Sequence, residues 1–166
     1  MSAAATEWMW PNITGMPLDK YHLNLAGEYR VAAELFKRGI FATITYGNRK
    51  GADIYAIGAE TRKTAVIEVK ASNSQRFVTG FYQKYRQEST PHPGFWVLYR
   101  LGSDEEAFFV LSHAEMAHAQ GERNHPNRDL TWAEHATRAS KGVDNVTAVA
   151  LTGHRDRWDK IADFLA

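Results

Sequence analysis

The apolar positions of this chain change period several times, and each change marks an element. In residues 22–38, Leu25, Ala32, Leu35 and Phe36 fall on one helical stripe, with Asn24 as a candidate N-cap and Gly39 as the stop. Residues 40–46 are β-branched and aromatic and predict a strand. After the turn residues 47–51, segments 52–57 and 64–71 read as two strands around the polar connection 58–63. Residues 75–88 carry aromatics at helical spacing ahead of Pro91 and Pro93, which predicts a second helix. Residues 95–101 and 107–111 predict a further strand pair. Ser112-x-x-Glu115 and Thr131-x-x-Glu134 fit capping boxes that open short helices. A strand at 146–151 and a closing helix at 156–165, with Trp158, Ile161 and Leu165 inward, complete the reading. Residues 1–19 show no period and read as an arm, in which Trp8, Met9 and Trp10 are expected to pack on the domain or on another subunit.

The order α-β-β-β-α-β-β-α predicts an α/β (or α+β) class around one sheet. A chain of 166 residues suits one domain, here 20–166 behind the 1–19 arm. With no cysteine there is no disulfide scaffold, thiol nucleophile or Cys-ligated zinc, which fits a reducing compartment. Apolar runs reach about five residues against the ~20 needed to span a bilayer. No Lys or Arg precedes Lys20, so no secretory leader is expected and a cytoplasmic location is. The net charge of +1 is a cancellation: 13 of the 20 Lys+Arg lie in residues 20–100 beside only 6 acids, and residues 101–166 are net acidic. That asymmetry favours a polyanionic partner for the basic part.

The chemistry concentrates in Asp53 and in Ala65-Val-Ile-Glu-Val-Lys-Ala71. Side chains alternate along a strand, so Glu68 and Lys70 share a face. A hairpin centred at Glu60-Thr61 sets Asp53 opposite Glu68, with Cβ atoms ~5 Å apart. Two carboxylates so placed repel unless a cation lies between them, and a divalent metal with oxygen ligands is the natural candidate. Glu28 lies on the inward stripe of the first helix with no basic residue at i±3 or i±4, whereas Glu34 has Lys37 and Arg38 and reads as an ordinary exposed pair. The plain alternatives are a cross-strand salt-bridge ladder for Asp53, Glu68 and Lys70, and a buried hydrogen bond for Glu28.

Asp53, then Glu68-Val69-Lys70 fifteen residues on, with Glu28 on the preceding helix, resembles the PD-(D/E)xK nuclease superfamily, closest to its resolvase-like and restriction-endonuclease-like branch. The resemblance covers about half the chain. It implies a restriction-endonuclease-like core, αβββαβ, over residues 22–101: a mixed central β-sheet flanked by helices, with 102–166 as a C-terminal extension. It also implies a metal-dependent DNA endonuclease whose catalytic residues are Glu28, Asp53, Glu68 and Lys70. Mg²⁺, or Mn²⁺ in its place, would be held by Asp53, Glu68 and the Val69 backbone carbonyl, with Glu28 acting through water. Lys70 would orient or deprotonate the attacking water, and a homodimer is expected from the same resemblance. Ala52 stands where the motif name has proline, and the Gln-x-x-x-Tyr element of the RecB-like exonuclease branch is absent.

Substrate contacts are expected from Arg49 and Lys50 in the turn before Asp53, and from Arg62 and Lys63 in the next connection. Ser72 and Asn73 (with Ser74) follow Lys70, and Arg76, Gln83, Arg86 and Gln87 would line one face of the second helix. Phe77, Phe81, Tyr82 and Tyr85 read as core. Five of the seven histidines follow residue 112, but His113 and His118 are five apart and lack zincin spacing, so solvated or capping roles are expected for the group. The competing class is a catalytically silent nuclease-fold module that binds DNA or a protein partner. A His-centred metal hydrolase ranks behind both.

Overall fold

The computed structural model describes residues 19–45, 52–102, 106–137 and 142–166. Residues 1–18 of the arm, and with them Trp8, Met9 and Trp10, and the turn residues Arg49 and Lys50 lie outside the described residues. Helix α1 (Lys20–Lys37) is followed by strands β1 (Phe41–Ile44), β2 (Ile54–Ile57), β3 (Thr64–Ser72) and β4 (Arg76–Val78). Next come the short helix α2 (Phe81–Lys84), β5 (Phe95–Arg100), β6 (Ala107–Ser112), α3 (His113–Asn124) and α4 (Trp132–Thr137). Strand β7 (Asn145–Thr147), a 3-10 turn (Val149–His154) and α5 (Asp159–Leu165) close the chain.

The main sheet has five strands in the order β1-β2-β3-β5-β6. Pairing is antiparallel except between β3 and β5, where Glu68 lies beside Trp96 and Lys70 beside Leu98. Alternation along these strands sorts the core into two layers. One contains Ile67, Val69, Val97 and Tyr99, covered by Val31 and Leu35 of α1 and by Trp158, Ile161 and Leu165 around α5. The other contains Trp96, Leu98, Phe109 and Leu111, covered by Phe77, Phe81, Tyr82, Met116 and Leu151. Helices therefore flank a mixed central sheet, as the α/β reading requires. The inward placement of Trp158, Ile161 and Leu165 and the core role of Phe77, Phe81, Tyr82 and Tyr85 match the sequence reading. Among the described residues, no helix is long and apolar enough to cross a membrane.

Helix α1 starts earlier than its apolar stripe suggests. Asp19, not Asn24, is the N-cap, accepting the His22 N–H at 2.9 Å. Gly39 ends the helix with φ of +73°, donating to the Phe36 carbonyl. The buried face is Leu23, Gly27, Val31, Ala32, Glu34 and Leu35, while Phe36 is half exposed. Glu34 keeps its expected partners, Lys37 at 2.9 Å and Arg38 at 2.6 Å, but its carboxylate is largely covered rather than exposed. At Gly27 the helix meets β3 so closely that a Cβ there would lie 2.7 Å from the Ala71 Cβ.

The main correction concerns residues 75–88, which do not form one helix. Residues 76–78 pair antiparallel with β7 in a second, two-stranded sheet, Phe77 opposite Val146. Gly80, at φ +59°, then turns the chain into the four-residue α2. Aromatics spaced four apart are buried equally well by this strand, turn and short helix, so periodicity could not separate the two. Arg76, Gln83 and Arg86 consequently do not share a helix face. The segment 102–166 is woven into the core: β6 is the edge strand beyond β5, β7 pairs with β4, and α5 covers the first core layer. Both capping boxes are present, with Ser112 and Glu115 exchanging bonds at 3.2 and 2.8 Å, and Thr131 with Glu134 doing the same.

Candidate active site

Strand β3 outruns β2. The β2–β3 pairs run from Ile57↔Thr64 to Ile54↔Ile67 and stop there, although β3 continues to Ser72. This is the register of a hairpin centred at Glu60-Thr61, and Asp53 arrives where it ends. The Asp53 N–H still reaches the Ile67 carbonyl at 2.9 Å, but the ladder then changes character. The Asp53 carboxylate, through Oδ2, accepts the Val69 N–H at 2.7 Å, a position a neighbouring strand's carbonyl would otherwise fill. A residue's N–H and C=O face the same neighbour in antiparallel pairing, so the Val69 carbonyl opens into the same notch. There it accepts from Lys70 Nζ at 3.2 Å.

Glu68 points into the second core layer and is 1% exposed. Its Oε1 accepts from Lys70 Nζ at 2.6 Å and also from Lys84 Nζ, whereas Oε2 is buried with no hydrogen-bond partner among the described residues. Burial pushes the Glu68 carboxyl up, but the two ammonium groups outweigh it and hold it below the usual carboxylate range. Asp53 is half-buried, and burial raises it despite the Val69 N–H and the charge of Lys70. Lys70 also lies 5.9 Å from the centre of the Trp96 ring.

Glu28 comes to the notch from the other face of the sheet, on α1 one residue after the close approach at Gly27. Desolvation, with Asp53 adding repulsion and Lys70 opposing it, lifts its carboxyl to about 7. Three carboxyl groups thus sense one another around the free end of β3: Glu28 through Asp53, and Asp53 through Glu68. Among the described residues, no three His, Asp or Glu side chains converge tightly enough to enclose a metal ion. Mg²⁺, however, is usually held by only one or two carboxylates and keeps several waters. The hard-oxygen pair Asp53 and Glu68, the orphaned Glu68 Oε2 and the raised Glu28 are features such a cation would satisfy.

The structure brings together Glu28, Asp53, Glu68, Val69 and Lys70, and separates the expected substrate contacts. Arg62 and Lys63 lie at the tip of the β2–β3 connection, ~17–20 Å from Asp53 at strand rise per residue, and Lys63 Nζ there bonds the Ala166 carbonyl at 3.2 Å. Ser72 is buried, its hydroxyl donating to the Arg76 carbonyl at 2.7 Å and accepting from Ser74 N–H at 3.1 Å, so it builds a turn rather than offering a donor outward. Asn73, Arg76, Gln83 and Arg86 are exposed.

Sequence reasoning passes over Lys84, and reads Tyr85 as core, which it is. The Tyr85 hydroxyl is buried without a hydrogen-bond partner among the described residues, and burial, then the charges of Glu68 and Asp53, push it far up. The signal was present as a lysine embedded in Phe81-Tyr82-Gln83-Lys84-Tyr85. Trp132 fixes the end of α2 by donating from Nε1 to the Tyr85 carbonyl at 2.8 Å. His113 was also misjudged, being buried rather than solvated: it stacks on His92 at 3.7 Å and its Nδ1 accepts from Trp96 Nε1 at 3.2 Å.

No protein-family model matches the chain, and no curated protein matches it in sequence. Among solved structures, that of a bacterial homing endonuclease, I-Ssp6803I, is similar, with a TM-score of 0.52 and 13% identity over 87% of this chain and 91% of that one. At such identity the likeness speaks for architecture: this chain has a nuclease-like fold, a five-stranded mixed sheet flanked by helices.

Proposed function

We propose that the protein is a metal-dependent nuclease of PD-(D/E)xK type, acting on DNA as an endonuclease. The reading rests above all on one observation: the β2–β3 register delivers Asp53 to the free end of β3, beside Glu68, Val69 and Lys70. The likeness to a homing endonuclease supports the reading at the level of fold. The basic excess of residues 20–100 supports a polyanionic substrate.

In this reading Asp53, Glu68 and the Val69 carbonyl would hold Mg²⁺ or Mn²⁺, with Glu28 acting through water. A cation so bound supplies Lewis acidity toward a phosphate oxygen and lowers the pKa of its water. The chain's own residues do the rest. Asp53 keeps its orientation by accepting the Val69 N–H. Lys70 is anchored between Glu68 and the Val69 carbonyl, where its ammonium can orient a water toward phosphorus. Glu28, lifted to about 7 in the metal-free protein, would be drawn back toward its charged form by a bound cation. Arg76, Arg86 and Asn73, together with Arg49 and Lys50 in the preceding turn, are the proposed contacts to the sugar–phosphate backbone.

A second reading, a nuclease-fold module that binds DNA without cutting it, is favoured by the two lysines already neutralising Glu68. Incubation with supercoiled, single-stranded and branched DNA and with RNA, in Mg²⁺, Mn²⁺ or EDTA, separates the two. Metal-dependent nicking of DNA that disappears in Asp53→Ala and Lys70→Ala is expected. Binding without cleavage of any substrate would leave the silent module as the function.

A further inference from the structure

Two ammonium groups share one oxygen of Glu68, and their circumstances differ. Lys70 stands two residues along the same strand, its side chain 23% exposed, and is held additionally by the Val69 carbonyl. Lys84 reaches Glu68 from α2, a helix of only four residues, and its side chain is 43% exposed. Both ammonium groups also act on the charge of Asp53, but they bond the same oxygen of Glu68, and there they repel each other. A divalent cation entering beside Asp53 and Glu68 would increase that repulsion, and the less tethered lysine is the one to leave. Its flexible four-carbon stem then carries the charge to the solvent side of the same notch, where a phosphate must lie to reach the cation.

We infer that Lys84 is a resident counter-ion of Glu68 that yields the carboxylate to a divalent cation and then binds a phosphate of the nucleic acid, making it a substrate-positioning residue. The inference rests on the nuclease reading above and adds a role outside its motif. It predicts opposite effects on two measurements, a signature that loss of structure cannot imitate. In Lys84→Met the competitor for Glu68 is gone, so Mg²⁺ or Mn²⁺ affinity of the DNA-free protein, measured by calorimetry, rises roughly tenfold, the equivalent of one pairing charge. Cleavage of DNA by the same variant falls by about tenfold or more, mainly through KM, and Lys84→Arg restores part of it.

Asp53→Ala is the companion variant. If it abolishes metal binding while Lys84→Met leaves metal affinity unchanged or weaker, the counter-ion role is overturned and the nuclease reading stands. Cleavage by Lys84→Met at the wild-type rate and KM overturns the phosphate role. Absence of metal binding and cleavage in the wild-type protein overturns both readings together.

Discussion

The carboxylate of Asp53 occupies the hydrogen-bonding position of a missing strand, accepting the Val69 N–H at 2.7 Å. A side chain thereby ends the β2–β3 ladder, and the next carbonyl facing that side, that of Val69, accepts from Lys70 Nζ instead of from a strand. The arrangement makes separate demands on charge and on hydrogen bonding. Asp53→Asn keeps an acceptor for Val69 and should fold with an unchanged circular dichroism spectrum. Its metal-dependent cleavage should drop on the order of a hundredfold or more, as should that of Lys70→Met. Nicking of supercoiled plasmid under single-turnover conditions measures both.

Glu28 gives a pH signature without metal. Its carboxyl is raised from 4.5 to about 7, by desolvation first and then by Asp53. The folded state therefore binds the proton more tightly than the unfolded state between those values, and unfolding free energy falls as pH rises through that window. Denaturant midpoints in EDTA should show Glu28→Gln gaining on the wild type from pH 4.5 to 7, with a constant difference above.

His113 acts with the opposite sign. Burial and the neighbouring His92 lower its imidazole from 6.5 to about 4, with Glu68 opposing. The unfolded state takes the proton first, so stability is complete above 6.5 and is lost as pH falls toward 4. In His113→Phe this acid-side loss should shrink, which thermal melts at pH 7 and pH 5 would reveal.

Tyr85→Phe removes a buried hydroxyl that has no partner among the described residues. Deleting an unsatisfied polar group is neutral or favourable, by up to about 1 kcal/mol. The expected result is an unchanged or raised denaturant midpoint. A loss of more than this amount would mean that the hydroxyl is satisfied in solution.

Gly27→Ala places a methyl 2.7 Å from the Ala71 Cβ, where neither atom belongs to a flexible side chain. Helix α1 must then lift from β3, at a cost of about 1–3 kcal/mol. Because Glu28 is the next residue, its carboxyl should also move away from Asp53 and titrate closer to 4.5. Denaturant midpoints and the pH dependence of stability would show the two effects together.

What could be read from the sequence was local. The β2–β3 register, with Ile54 opposite Ile67, follows from alternation on both sides of Glu60-Thr61, and the Ser112 box and the Trp158, Ile161, Leu165 face follow from short-range spacing. Glu28 stands out in the sequence because it lacks a basic partner on its own helix. The failures were non-local. Strand β4 exists because Phe77 pairs with Val146, and nothing near residue 77 announces that partner. Lys84 joins the site because Gly80 redirects the chain, and a helical reading of 75–88 carried it elsewhere. His113 is buried by Trp96, His92 and Tyr85, contacts that no spacing rule encodes.

The β4–β7 pairing also divides the site in time and in cooperativity. Asp53 meets Val69 across a connection of a few residues, a contact that costs little loop entropy and is available early. Lys84 and Tyr85 are framed by Trp132 and by the closure of β7 on β4, which requires a loop several times longer. Fluctuations that open the β4–β7 seam would therefore release the lysine and tyrosine side while the carboxylate side stayed folded. Hydrogen exchange at Phe77 and Val146 faster than at Ile54 and Ile67 would be the mark of a site with one hinged wall.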